Sequence, residues 1–423
     1  MLKGGISLME TGVTKSKSAP AQGLEKKKGF LNQLGPAFIT SALVLGPGSL
    51  TLSSKIGAIY GMQLIWALVI VVIFMMIFTE MSTRIGLAAN ESFIQVMKKK
   101  WGRTASLLIG IGAFLVTASF QAGNALGSGL AVSSVTGTSA SLWIIIVTLL
   151  GVAFLFSKNF YQILEKLMLG LVVLMLVSFA ITLILVKPSF TEMLAGFVPI
   201  IPDGSLPLII AITATSFSIV GACYQSYLVQ EKGWKLEHRS SGMRETYLGI
   251  FILGLISLMI MLCAAAILKP QGIVVNSVSD MGLALEPLYG NWAAILFMLG
   301  LFGASFSSLM GNATIGGALL SDGLGLGSKL TSKSVKGFII LVMAFGSLVG
   351  IIFGSAPVNM IIFAQAITIV IVPFIAIAIL SVANDEKIMG SMKNTLWKNV
   401  LGIAGLAVLI LLAINNIITI FFK

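Results

Sequence analysis

Histidine and cysteine are nearly missing from this chain of 423 residues: His238 is the only histidine, and Cys223 and Cys263 are the only cysteines. A metal cluster of thiolates or imidazoles needs several such ligands close together, so no metal site of that kind is expected. Two cysteines in separate apolar runs do not make a disulfide framework. Charge is scarce as well, at 10% of residues against 57% hydrophobic, which is far from the composition of a soluble domain. No nucleotide-cradling glycine loop and no nucleophile beside a base is present, so the sequence reads as a protein that is not an enzyme and carries no cofactor.

What the chain does have is long apolar runs, and about 20 such residues span a bilayer as a helix. Hydropathy with Gly, Pro and charge punctuation gives eleven spans: 36–61, 62–84, 104–133, 140–157, 162–187, 206–230, 245–268, 290–321, 337–354, 358–382 and 396–421. The N-terminal stretch and the loops near 84–103, 158–166, 231–244, 322–336 and 383–398 fall on one side and hold 23 of the 27 Lys and Arg. The positive-inside rule then puts the N-terminus in the cytoplasm and the C-terminus outside a plasma (inner) membrane. The net charge of +12 thus reports topology and contact with anionic membrane lipids, not a nucleic-acid partner. Residues 1–30, with Lys26, Lys27 and Lys28 just before the first span, read as a disordered basic cytoplasmic tail. The loop "EKGWKLEHRSSGMRE", which contains His238, reads as a solvated connector, with gating of the inner mouth as its other role. The chain has twenty methionines, and those dispersed through the spans read as packing residues. Oligomeric state is left open.

Two spans are interrupted at corresponding places. Span 1 contains Gly46-Pro47-Gly48-Ser49, followed by Thr51, Ser53, Ser54 and Lys55, and span 6 contains "SFSIVGACYQ" around Gly221. Pro47 removes a backbone donor and the glycines ease the turn. Backbone groups freed in this way cannot face lipid, so they line a cavity enclosed by protein or water. Interrupted helices at matching positions of two repeats point to a secondary transporter with its site near the bilayer midplane. The plainer alternative is a proline kink with glycines for close packing. The resulting organisation is an all-α polytopic membrane protein: the tail 1–30, a first repeat 31–187 (helices 1–5), a second repeat 188–382 (helices 6–10) and an eleventh helix within 383–423.

Four stretches in order resemble the NRAMP divalent-metal transporters: "GPAFITSALVLGPGS", "STRIG", "ASFSSLMGNATIGGALLSDG", and "AQAITIVIVPF" with "NDEKIMG". That resemblance implies the leucine-transporter-type fold, a 5+5 inverted repeat with broken helices 1 and 6 and alternating access. It also implies where a substrate is held. The family's helix-1 aspartate and asparagine fall on Gly46 and Ser49, flanking Gly48, and its helix-6 Met-Pro-His-Asn falls on Ser218 to Gly221. A later helix-6 histidine becomes Gln225. The acidic pair of helix 3 falls on Gln121 and Asn124, and acids after the helix-1 break become Thr51 and Ser53. Only the helix-10 glutamine, Gln365, is kept.

A buried divalent cation without an anionic ligand is costly, so this donor set argues against manganese or iron. A half-helix N-terminus beside neutral hydrogen-bonding groups suits a small anionic or zwitterionic solute. Magnesium held through its waters is the alternative cargo. An ion channel or a non-transporting sensor are the alternatives in class. Lys55 has two readings, snorkelling to the headgroups or tuning an outer vestibule or coupling step. Glu80 is expected near the cytoplasmic end of span 2, paired with Arg84, with a gating or coupling role open to it.

Overall fold

The computed structural model describes residues 45–157, 160–276, 280–281, 283–285, 290–352 and 371–422. The basic tail, the first third of span 1, Gln365 and about half of span 10 lie outside the described residues. Among those described, all regular structure is helical. The helices are α1 (Pro47–Tyr60), α2 (Ile65–Ala88), α3 (Phe93–Thr136), α4 (Ala140–Phe154), α5 (Phe160–Val186), α6 (Phe190–Ala195), α7 (Leu206–Ser216) and α8 (Ile219–Glu231). They continue as α9 (Arg239–Ile267), α10 (Ala293–Gly323), α11 (Lys333–Ile352), α12 (Val372–Ala383), α13 (Glu386–Met389) and α14 (Leu396–Phe422). Among the described residues six stretches, α2, α3, α7 with α8, Leu236–Ile267, α11 and Leu396–Ile418, are long and apolar enough to cross a membrane by length and composition alone.

Their outward surfaces fit that solvent. Leu149 on α4, Leu348 on α11 and Leu411 on α14 are all well exposed, a pattern that would drive a water-soluble protein to associate. The polar residues are turned inward instead. Span 3 departs from expectation at its start. The helix begins at Phe93, capped by the Ser92 hydroxyl, and Gly102 alone breaks it with a φ of 84°. That conformation suits glycine, so the basic turn before Gly102 is set off from the apolar length after it.

Hydrogen bonds between loops show which ends lie together. Gln230 donates to the carbonyls of Ala89 (3.1 Å) and Glu91 (2.8 Å), Lys100 pairs with Asp385 at 2.5 Å, and Gln95 donates to Asp322 at 2.9 Å. The connections after α2, α8, α10 and α12 therefore share one end of the molecule, as the alternation of basic loops requires. At the other end of α2, Trp66 donates its indole N–H to the Ile200 carbonyl at 3.0 Å, and Tyr60 reaches the Asp203 carbonyl at 3.3 Å.

Small residues set the helix contacts around α1. A Cβ on Gly57 would stand 2.3 Å from the Met261 carbonyl oxygen and 2.9 Å from the Ala264 Cβ, so α1 lies directly on the backbone of α9. Between α3 and α10, a Cβ on Gly316 would meet the Thr117 hydroxyl at 2.1 Å. Such close approach is how helices gain packing where lipid offers no hydrophobic drive.

Candidate functional site

The described part of span 1 starts at the break. Gly46 is extended (φ −100°, ψ −178°), Pro47 opens α1, and no side chain among the described residues caps the helix. The first N–H groups of an α-helix have no partner within it, so α1 presents donors and partial positive charge at this point. Proline fits there because its missing N–H is one the helix does not use.

Two helices close around Gly46. A Cβ placed on it would lie 3.0 Å from the Ser308 hydroxyl oxygen of α10 and 3.4 Å from Oδ1 of Asn124 on α3. One step along, a Cβ on Gly127 would lie 2.5 Å from the Ser305 hydroxyl oxygen and 2.9 Å from the Pro47 ring. The break in span 1 is thus walled by Asn124 from α3 and by Ser305 and Ser308, one turn apart on α10.

The hydrogen-bond chain behind Asn124 fixes what it shows to the site. The Leu309 carbonyl can only accept, so it takes Nε2 of Gln121 at 2.7 Å. Oε1 of Gln121 then accepts Nδ2 of Asn124 at 3.2 Å. This leaves the Asn124 carbonyl oxygen directed at Gly46. Gln121 is committed to holding α3 against α10 and orienting Asn124.

Several hydroxyls in this region are buried with no hydrogen bond among the described residues: Ser49, Thr51, Ser53 and Ser54 on α1, Ser216 at the end of α7, Ser257 on α9, and Ser305 on α10. An unsatisfied buried hydroxyl costs about 1–3 kcal/mol. A row of them suits a cavity that holds water or a polar ligand.

The interruption of span 6 lies at Phe217 and Ser218, between α7 and α8, and not at Gly221. Gly221 stands in the first turn of α8 and donates its N–H to the Ser218 hydroxyl at 3.3 Å. Ser218 caps α8, whereas α1 carries no such cap. Phe217 is fully buried against Phe74 and Phe78 of α2, with ring centroids 5.9 and 5.3 Å apart. That packing anchors the break to α2. Gln225 sits further along α8, buried.

The expected residues therefore divide. Gly46, Gly48, Ser49, Gln121 and Asn124 lie at or beside the span-1 break, and Ser218 and Gly221 form the opening turn of α8. Ser305 and Ser308 were missing from the expected set, although the serine pair of span 8 stands out in the sequence. Glu80 lies elsewhere. It forms a buried ion pair with Arg84 at 2.9 Å and receives Lys398 of α14 at 2.6 Å. Arg84 further donates to the Met392 carbonyl and, at 2.5 Å, to Asn394. Cys223 and Cys263 are both buried free thiols. Among the described residues no three His, Cys, Asp or Glu side chains gather as a cation cluster.

The chain is similar along nearly its whole length to known transporters. It is 22% identical over 413 residues to the divalent metal cation transporter MntH of Klebsiella pneumoniae, covering 94% of this chain and 96% of that protein. The Eremococcus coleocola manganese transporter, solved with an aromatic bis-isothiourea substituted compound, superposes with a TM-score of 0.77 at 16% identity, covering 93% and 88% of the two chains. A nucleobase-cation-symport-1 family transporter superposes at 0.59 with 15% identity, covering 91% of each chain, so the leucine-transporter-type arrangement of helices is shared. The model of the natural resistance-associated macrophage protein-like family matches residues 37–419, and the chain belongs to that family of multi-pass membrane transporters.

Proposed function

We propose that this transporter carries a small anionic or zwitterionic organic solute by alternating access around the span-1 break and the α7–α8 break, with the basic end of the molecule in the cytoplasm. The observation that carries the reading is the setting of Gly46. Where the family's motif puts an aspartate there is no side chain, and among the described residues the groups nearest a Cβ placed there are the neutral Ser308 and Asn124. A divalent transition ion released from its water needs an anionic ligand to offset dehydration. The uncapped N-terminus of α1 instead favours a carboxylate. The Asn124 carbonyl oxygen beside it is an acceptor suited to an ammonium or hydroxyl group of the same solute.

The hydroxyls of Ser49 and Ser305, which have no hydrogen-bond partner among the described residues, support one other cargo. Neutral oxygens suit magnesium that keeps several of its waters. Purified protein in proteoliposomes, loaded in turn with amino acids, small carboxylates, magnesium and manganese, separates these readings by counterflow. The expected result is accelerated exchange of a carboxylate-bearing solute. Saturable manganese uptake that is abolished by Ser49→Ala or Ser218→Ala would overturn the proposal, and flux without counterflow would make the protein a channel.

A further inference from the structure

From Leu45 to Ala58 every residue is buried except Lys55. Its position on α1 can be read from the helix period. Gly57 faces α9, against the Met261 carbonyl. Lys55, two residues earlier, lies about 160° around the helix from that contact, since each residue turns it about 100°. Gly48, seven residues before Lys55, shares its face, about 10 Å nearer the uncapped helix N-terminus. At that lower end α1 is closed in by α3 and α10 through Pro47, Gly127 and Ser305. The face bearing Lys55 thus turns away from α9 and runs along α1 toward Gly48, beside the break at Gly46. One turn beyond Lys55, Ile59 is 39% exposed. No acid forms an ion pair with Lys55 among the described residues. An intramembrane ammonium without a partner is costly unless water or a passing anion meets it.

We infer that Lys55 is the specificity residue of an outer aqueous vestibule, drawing the anionic group of the solute toward the N-terminus of α1 two turns below. This rests on the anionic or zwitterionic cargo proposed above. Lys55 and the helix N-terminus are two positive features on one face, so an anion meets a favourable potential at the mouth and again at the break. A cationic solute is opposed at both.

The test uses thiol reagents, so it does not depend on the cargo. Cys223 and Cys263 are 1% and 0% exposed, so a cysteine introduced at the mouth is the thiol that reacts. In Ile59→Cys, externally added, membrane-impermeant sulfonatoethyl (anionic) and trimethylammonioethyl (cationic) methanethiosulfonates are compared. The anionic reagent is expected to be favoured relative to free thiol, with Lys55→Arg keeping the ratio and Lys55→Glu reversing it by about tenfold or more. Lys55→Cys is itself expected to react from outside. A ratio indifferent to Lys55→Glu, or a Lys55→Cys protein that external reagents do not reach, would overturn the inference. Elution as a monodisperse peak shows that each variant is folded. If the vestibule passes and no carboxylate is exchanged in proteoliposomes, the cargo proposal fails alone. If carboxylate exchange proceeds with KM unchanged by Lys55→Glu, Lys55 fails alone.

Discussion

The hydroxyl of Tyr227 on α8 donates to the carboxylate of Asp322 at the end of α10 at 2.6 Å, and both side chains are buried. The same carboxylate accepts Ser92 at 2.5 Å and Gln95 at 2.9 Å from the start of α3. Tyr227 also accepts the Ile94 N–H at 3.3 Å. Three helices are thereby tied at the basic end of the molecule, and α8 is the one that follows a break. Opening that end by moving α8 must part Tyr227 from Asp322.

Tyr227→Phe keeps the ring that stacks on Tyr224 and deletes the hydrogen bond to a charged acceptor, worth about 1.5–3 kcal/mol, together with the longer one from the Ile94 N–H. The expected result is a shift toward the state open at the basic end by roughly tenfold or more. Hydrogen exchange in the last turn of α8 reads it directly. Exchange rates equal to those of the native protein would show that this contact does not restrain that end.

Glu80 makes a different prediction because its partners are cations. It is 1% exposed and faces both Arg84 and Lys398, so Glu80→Gln leaves buried positive charge uncompensated. Breaking a buried pair from one side costs about 3–5 kcal/mol, and the Tm of the purified protein is expected to fall sharply. The Lys398 side chain is 25% exposed, so Lys398→Met is expected to cost much less. Equal losses from the two would refute the assignment of Glu80 as the centre of a clamp between α2 and α14.

Lys100 and Asp385 join the start of α3 to the turn before α13, outside the apolar lengths. The Lys100 ammonium that hydrogen-bonds Asp385 holds its carboxyl below the usual carboxylate range. A carboxylate with a depressed folded value contributes stability above its unfolded value, about 4, and loses it as pH falls through the folded value. Lys100→Met is therefore expected to lower Tm slightly at pH 7, by under about 1 kcal/mol for so accessible a pair. The part of the difference that the ion pair carries should vanish on acidification below the folded value, leaving the hydrogen bond that Lys100 also gives the Ser381 carbonyl at 3.0 Å. A difference as large there as at pH 7 would show that the ion pair contributes nothing.

Much of this architecture was legible because lipid allows few solutions. The run expected at 62–84 is α2 at Ile65–Ala88, and that expected at 396–421 is α14 at Leu396–Phe422. Hydropathy alone reports such lengths, since an apolar helix must be continuous to satisfy its backbone. The interruption of span 6 was misplaced toward Gly221 because glycine marks close packing as readily as a break. Ser218 held the better signal, an N-cap hydroxyl three residues ahead of the donor it accepts. Helix α6 is too short for hydropathy to announce, although Ser189 precedes Glu192 with the spacing of a capping box. The pairing of Gly46 with Ser308 had no local signal, because it joins residues far apart in the chain.

That pairing gives the sharpest test of the cargo. Gly46 has extended dihedrals that any L-residue adopts, so replacing it strains no backbone. Its Cβ direction leads to the Ser308 hydroxyl at 3.0 Å, tight enough that Gly46→Ala is expected to weaken solute exchange through lost space alone. Gly46→Asp with Ser49→Asn places a carboxylate and an amide at the uncapped end of α1, beside the Asn124 carbonyl oxygen. If the missing carboxylate is what keeps transition metals out, this pair should tighten manganese binding by roughly tenfold or more, about 1.4 kcal/mol, in calorimetry. It should also abolish exchange of a carboxylate-bearing solute, since two anions would then compete for one helix N-terminus. Unaltered manganese affinity in a folded double variant would show that a carboxylate at this position does not set the affinity for the metal.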